Sequence, residues 1–373
     1  MTRPQTEEAA SPPHHGLLRR HWLKLVASAF ITYFIVTTVR HAGLGFVPNT
    51  ADLARVKWWT LPAYVGTLAF MFYFRSVRWR FLLRNIADVP RRRLLAVSCI
   101  GFAAILALPL RIGEFVRPYM IREKGKVSLT AATSTVLGER IIDGLYLSIV
   151  LAVALILVPV KQPLDARVGN LAITVGEVRM YGFAMLALFT TAFSVIAIFY
   201  FARTWAHRAT IAIVGRVSMK LAEKLAGTFE KFATGLAFLG RGRDTAGFLF
   251  ETTLYWGANA AGMWLLAWGC GVVHPDGTSI SFGEVCAIMG MLGATILIPG
   301  PPGMVGVFQA GMYAGMAMYF TRDMYNGPGE AYVFLLFVTQ VVWTLLVAGS
   351  FLVIDRKSRR ALKDANEVAD VPA

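Results

Sequence analysis

The sequence predicts an all-α polytopic membrane protein. Of its 373 residues, 56% are hydrophobic and 16% are charged, whereas a soluble domain typically carries about 25% charged residues. The apolar residues occur in nearly uncharged blocks, and about 20 such residues form a helix that crosses ~30 Å of hydrocarbon. Lys and Arg are concentrated in alternate connecting segments. We therefore attribute the net charge of +15 to a membrane setting rather than to nucleic-acid binding.

Six of these blocks are predicted to cross the membrane completely. The first block ends in Arg40 and lacks a small-residue cleavage site, which indicates a retained span rather than a signal peptide. Two further blocks, 94–120 and 285–321, contain Pro and Gly near their middle and are predicted to be broken elements. The six predicted spans are 22–40, 58–74, 128–160, 180–202, 252–273 and 331–354.

The distribution of Lys and Arg predicts that both termini are cytoplasmic. With the N-terminus inside, the cytoplasmic segments hold 28 of these residues and the outer segments hold 6, as the positive-inside rule requires. The cytoplasmic parts then include the tails 1–21 and 355–373, and the basic amphipathic segment 207–240 suits the inner membrane surface. The uncharged stretch 94–110 lies between the basic segments 75–93 and 111–126, so we expect it to enter the membrane and turn back.

The order of elements predicts two repeats of opposite orientation. Residues 22–160 and 180–354 each contain two spans, a broken element and a third span. Because three crossings are an odd number, the second repeat would be inverted, as in many secondary transporters. Short full spans remain the alternative for the broken elements, with 285–321 able to form two spans joined at 299–303, and the prediction is six to eight transmembrane helices. The pattern P-x-x-x-G-x-F occurs in both broken elements, at Pro109, Gly113, Phe115 and at Pro302, Gly306, Phe308.

Six charged residues at helical spacing follow the uncharged stretch 94–110. Arg111, Glu114 and Arg117 are three residues apart, and the later group lies on one helical face. Ionisable groups within a membrane usually pair and face a protein interior. These charges are therefore headgroup-level residues, a structural ion network, or a substrate site in which arginines bind phosphate. The later group comprises Glu139, Arg140 and Asp143.

The motifs R-x-G-E-x-x-R, E-R-x-x-D and P-G-x-x-G-x-x-E/Q in "LPLRIGEFVRPYM", "LGERIIDG" and "IPGPPGMVGVFQAGM" resemble those of a flippase-like family. That family is named for the transmembrane region of lysylphosphatidylglycerol synthase, the multiple peptide resistance factor. Gln309 departs from the acid found in many members, which leaves proton coupling open. The resemblance implies substrate-binding or translocation roles for Arg111, Glu114, Arg117, Glu139, Arg140, Asp143, Pro299, Gly300, Gly303, Gly306 and Gln309.

The resemblance implies a multi-pass protein of the bacterial inner membrane that moves a phospholipid or lipid-linked substrate between leaflets. The sequence ends 19 residues after Ile354, so we expect no soluble aminoacyl-transferase domain and no lysyl transfer. The alternatives are a membrane-embedded enzyme that modifies a lipid headgroup and a scaffold for a lipid- or glycan-modifying enzyme.

Neither catalytic residues nor bound cofactors are predicted. The sequence contains no nucleotide-binding P-loop, no nucleophile elbow, and no Cys or His cluster with metal-ligand spacing. The expected partners are the lipid substrate and the bilayer, with a lipid-synthesis enzyme as a further candidate and without nucleic acid.

Overall fold

The computed structural model describes residues 43–84, 86–122, 127–216, 218–233, 240–296 and 302–354, together with positions 30, 33, 36, 37, 40 and 41. Most of the predicted span 22–40 and both predicted tails lie outside the described residues, as do residues 234–239 of the amphipathic segment. The described part of the chain is helical and contains no strand, only two isolated bridges.

The helices follow the predicted order of apolar blocks. α6 begins where the Ser128 hydroxyl accepts the Ala131 N–H, and α7 begins with a capping box between Thr174 and Glu177. Two 3₁₀ helices, Pro109–Phe115 and Pro302–Met304, interrupt the broken elements. The α-helices are α1 (Thr50–Ala54), α2 (Thr60–Val77), α3 (Trp79–Leu83), α4 (Arg91–Ala107), α5 (Val116–Ile121), α6 (Leu129–Leu157), α7 (Val175–Phe201), α8 (Arg203–Val214), α9 (Met219–Ala233), α10 (Gly242–Gly269), α11 (Phe282–Ile296), α12 (Val307–Met316), α13 (Arg322–Tyr325) and α14 (Pro328–Ile354).

Three helices within the described ranges are long and apolar enough to cross a membrane. They lie at Leu129–Leu157, Val175–Val195 and Arg322–Ile354. The predicted spans 58–74 and 252–273 correspond to α2 and α10, which contain more polar residues. The chain is therefore a multi-pass membrane protein, in which α2 and α10 turn much of their polar surface toward other helices.

Helices α2 and α10 pack against each other in antiparallel orientation. A Cβ added at Gly262 would meet Thr67 and Tyr64, and one added at Gly269 would meet Thr60. Small residues at these positions allow the two backbones to approach closely, as is common where helices associate in membranes.

Each broken element folds back on itself as a helical hairpin. In the first hairpin, Gly113 lies against the Ala104 backbone and Gly101 lies against the Arg117 side chain. In the second hairpin, a Cβ on Gly315 would lie 2.8 Å from the Ile288 Cα. The chain therefore reverses near Leu108 in the first hairpin, and residues 297–301 of the second reversal lie outside the described residues.

The arms of the second hairpin are short compared with the membrane. α11 has 15 residues and α12 has 10, which correspond to about 22 Å and 15 Å at 1.5 Å per residue. The hydrocarbon core is ~30 Å thick. Neither arm alone reaches across it.

Each hairpin packs against the long helix that follows the other hairpin. Helix α11 runs antiparallel to α6, with Gly290 against Leu151 and Gly293 against Leu147. In the other half, α4 packs against α14. Residues near both hairpin tips border the cavity described below.

Candidate functional site

Arg78 joins helices from both halves of the chain. It lies between α2 and α3 and is fully buried. Its Nη2 donates to Asp143 Oδ2 at 2.6 Å and to Glu139 Oε1 at 3.2 Å, while Nη1 donates to Thr252 Oγ1 at 2.8 Å. One guanidinium thus ties α6 to α10 through charge-assisted hydrogen bonds.

Arg117 binds the same carboxylate, Glu139. Its Nη1 donates to Glu139 Oε1 at 3.2 Å and its Nη2 donates to Oε2 at 3.1 Å, in a bidentate arrangement. The Arg117 guanidinium also lies 4.3 Å from the Trp79 ring centroid, a cation–π geometry. Trp79 Nε1 donates to Thr135 Oγ1 at 3.0 Å, which fixes the ring.

Arg78, Arg117, Glu139 and Asp143 form what we call the ion network. Its two arginines and two carboxylates balance in charge, and all four residues are buried. Burying unpaired charge is costly, so mutual pairing is what allows four ionised groups to lie among the membrane helices. The network connects the α2–α3 junction, α5 and α6 with α10.

A cavity of about 240 Å³ lies beside the ion network. Most of its wall is apolar and comes from α2, α4, α6, α7, α10, α11, α12 and α14. Arg75, Arg140 and Asp143 provide charge at one part of the wall, and Asn259 and Gln340 add amide groups. The cavity is thus amphipathic and is bordered by both hairpin tips.

Several polar atoms on this wall are buried without a hydrogen-bond partner among the described residues. They are Arg75 Nε, Arg140 Nε and Nη2, Asp143 Oδ1, Tyr255 Oη and Trp256 Nε1. We call these five residues the polar wall. Buried polar groups in proteins are nearly always hydrogen-bonded, so a cluster of unsatisfied ones at a cavity indicates a position for a ligand.

The structure separates the predicted charged residues into different roles. Arg117 and Glu139 belong to the ion network, whereas Arg140 lies on the polar wall and Asp143 belongs to both. Glu114 is partly buried in the first 3₁₀ helix, within electrostatic range of Arg140. Arg111 lies in the same 3₁₀ helix, and its side chain is outside the described residues.

The glycine-rich motif shapes the second hairpin tip. Gly303 and Gly306 have φ values of 73° and 86°, a left-handed conformation that favours glycine. Gln309 Oε1 accepts the Gly306 N–H at 2.7 Å, which caps the start of α12. Of these three, Gly303 borders the cavity. Pro299 and Gly300 lie outside the described residues.

Four residues at the site were not identified from sequence: Arg75, Arg78, Tyr255 and Trp256. From sequence, Arg75 and Arg78 are predicted only as members of the basic cytoplasmic segment 75–93. One signal in the sequence could have identified the two arginines. Arg75 and Arg78 are three residues apart directly after the uncharged block 58–74, as Arg111 and Glu114 are after the uncharged stretch 94–110. Within the described ranges, no group of three or more His, Cys, Asp or Glu side chains has an arrangement that would hold a metal ion.

Comparison with known families gives one match over most of the chain. The family model described as "Lysylphosphatidylglycerol synthase TM region" matches residues 21–349, a range that includes the ion network, the cavity and both hairpins. No curated protein and no solved structure matches this sequence.

Proposed function

Since the chain belongs to the family of the lysylphosphatidylglycerol synthase transmembrane region, we propose that it moves a phospholipid or lipid-linked substrate between leaflets of the bacterial inner membrane. The observation that carries the proposal is the amphipathic cavity beside the ion network. Arg75 and Arg140 offer N–H groups that have no partner among the described residues and that suit a phosphate. The apolar remainder of the wall suits the first part of an acyl or prenyl chain.

The proposed architecture is an inverted repeat with two re-entrant hairpins and cytoplasmic termini. The reciprocal packing of α4 on α14 and of α11 on α6 supports this arrangement. The antiparallel contact between α2 and α10 also supports it, because these helices occupy equivalent positions in the two halves. Inverted repeats of this kind place substrates near the membrane midplane, at the repeat interface.

In this proposal the ion network and the cavity have different tasks. The ion network holds α5 and α6 against α10 through charge-assisted hydrogen bonds, so the cavity has a fixed side. A headgroup enters the cavity while its hydrocarbon tail stays in the bilayer. Movement of the other cavity walls relative to this fixed side would then expose the headgroup to the opposite leaflet.

We propose that the substrate moves without covalent change. Both oxygens of Glu139 accept hydrogen bonds from arginines, which leaves this carboxylate poorly suited to act as an acid or base. The alternative of a lipid-modifying enzyme would rest on Asp143, whose Oδ1 has no hydrogen-bond partner among the described residues.

The test uses purified protein in vesicles with phospholipids that carry a fluorophore on an acyl chain. An impermeant reductant bleaches the label in the outer leaflet, and translocation makes inner-leaflet label accessible. We expect the wild-type protein to expose the inner label, the Arg140→Gln variant to lose most of this activity, and the exposed-site control Arg216→Gln to retain it. Mass spectrometry of the same lipids should show no change in mass.

Absence of exchange for every lipid tested, with and without an imposed proton gradient, would count against translocation. A new lipid mass that depends on Asp143 would instead support the enzyme alternative.

A further inference from the structure

The polar wall is rich in hydrogen-bond donors. The unpaired atoms of Arg75, Arg140 and Trp256 can only donate, whereas Tyr255 Oη can donate or accept and Asp143 Oδ1 accepts. An occupant that leaves these donors unpaired would bind weakly, because a buried unsatisfied donor is costly. The occupant must therefore present mainly acceptor oxygens.

The charge of the polar wall also favours an occupant with acceptor oxygens. Four arginines and three carboxylates lie in this region, so positive charge is in excess, and neither Arg75 nor Arg140 is hydrogen-bonded to a carboxylate among the described residues. The arginines are Arg75, Arg78, Arg117 and Arg140, and the carboxylates are Glu114, Glu139 and Asp143, which gives its Oδ2 to Arg78 at 2.6 Å. A cationic group placed here would lie beside two guanidinium groups in a poorly screened interior, where like charges repel strongly. A phosphate would instead gain favourable contacts with both arginines.

Helix α10 adds a surface suited to uncharged polar groups. Tyr255, Trp256 and Asn259 all line the cavity, and the two aromatic rings lie 4.6 Å apart. A hydroxyl group both accepts and donates hydrogen bonds. It can therefore accept from Trp256 Nε1 and donate to Asp143 Oδ1. An ammonium group can donate to Asp143 but has no acceptor for the Trp256 N–H.

We propose that the cavity selects headgroups in which a phosphate is joined to an uncharged, hydroxyl-bearing group, such as glycerol or a sugar, over headgroups that end in an ammonium group. This inference rests on the proposed function and names its substrate class. The phosphate lies against Arg75 and Arg140, and the hydroxyl groups lie toward Tyr255, Trp256 and Asp143.

The test compares three chain-labelled probes in vesicles of one composition: phosphatidylglycerol, phosphatidylinositol and phosphatidylethanolamine. We expect at least one of the two hydroxyl-bearing lipids to exchange about tenfold faster than phosphatidylethanolamine. A tenfold difference in rate corresponds to the free-energy cost of leaving one buried polar group without a hydrogen bond. Faster exchange of phosphatidylglycerol indicates a glycerol-sized group, and faster exchange of phosphatidylinositol indicates a ring polyol. The Trp256→Phe variant keeps an aromatic ring but removes the Nε1–H donor. It should therefore reduce the preference for hydroxyl-bearing lipids over phosphatidylethanolamine.

The outcomes separate the inference from the function on which it rests. Exchange of phosphatidylethanolamine that equals or exceeds the other two overturns the selectivity and leaves translocation standing. Protein in detergent that is stabilised against heat by added phosphatidylglycerol or phosphatidylinositol, but not by phosphatidylethanolamine, supports the selectivity even if no probe is moved. Equal exchange rates and equal thermal stabilisation for all three lipids overturn the inference. This comparison needs only the wild-type protein.

Discussion

The ion network and the polar wall use the same kinds of side chain and share Asp143, yet their hydrogen bonding differs. In the network, the Glu139 carboxylate is fully engaged by Arg78 and Arg117. On the wall, Arg75 and Arg140 keep N–H groups without partners among the described residues. Arg78 Nε and Arg117 Nε in the network are also buried without such a partner, but these two residues do not line the cavity. The comparison teaches that buried charge suits a ligand only where an unpaired group also borders a cavity. Charge that is paired across helices, as in the network, holds them together.

Glu139→Ala should have the largest effect and tests the network side of this comparison. The variant leaves two buried arginines without their shared carboxylate, and breaking a buried pair in this way costs about 3–5 kcal/mol. We expect a large fall in the thermal unfolding temperature of the detergent-solubilised protein, measured beside Glu223→Ala at an exposed position of α9. Equal stability of the two variants would show that the network does not hold the helices.

Gly315→Ala should cause the next largest loss of stability. The variant tests the packing of the two arms of the second hairpin against each other. Its Cβ would lie 2.8 Å from the Ile288 Cα, and overpacking of this kind costs about 1–3 kcal/mol. Gly349 in α14 is the matched control, since nothing lies within 4 Å of a Cβ added there. We expect Gly315→Ala to lower the unfolding temperature and Gly349→Ala to leave it unchanged or raise it. The reverse order would contradict the hairpin packing.

Asp143→Asn sharpens the comparison because this residue belongs to both regions. The substitution weakens the bond to Arg78 and also alters the oxygen that borders the cavity. We expect a stability loss of about 1–3 kcal/mol together with slower lipid exchange. Unfolding and exchange measured on one preparation would show whether both change, and a change in only one would place Asp143 in a single region.

Asp276→Asn, in the loop between α10 and α11, should have the smallest effect. Hydrogen bonds from the Thr278 hydroxyl and backbone N–H lower the pKa of Asp276 below its usual value. A lowered folded-state pKa stabilises the protein above the unfolded-state pKa of about 3.9, and this contribution is lost as pH falls through the folded-state pKa. The wild type should therefore unfold slightly above the variant at pH 7 and lose that advantage in acid. An advantage that persists at low pH would refute this assignment.

The positions of the helices were largely predictable, because an apolar block of sufficient length has few alternatives to a membrane helix. The predicted block 128–160 became α6, and 331–354 became the body of α14. The pairing of the hairpins was not predictable, since the contacts between α4 and α14 join segments far apart in sequence.

The site was predictable only in part. Helical spacing placed Glu139, Arg140 and Asp143 near one another, but adjacent residues are rotated by about 100° around a helix. Glu139 therefore enters the ion network while Arg140 faces the cavity. Arg78 was overlooked because counting charges in a segment reveals its side of the membrane and not the direction of each side chain. Its partner Thr252 is 174 residues away.

The most direct test of the central claim is Arg75→Gln, with the unfolding temperature and the lipid exchange rate measured on the same preparation. Arg75 lies on the polar wall and takes no part in the ion network. We expect exchange to fall by about tenfold while the unfolding temperature changes by less than about 3 °C. Exchange at the wild-type rate by a stable variant would contradict the assignment of the polar wall to the lipid headgroup.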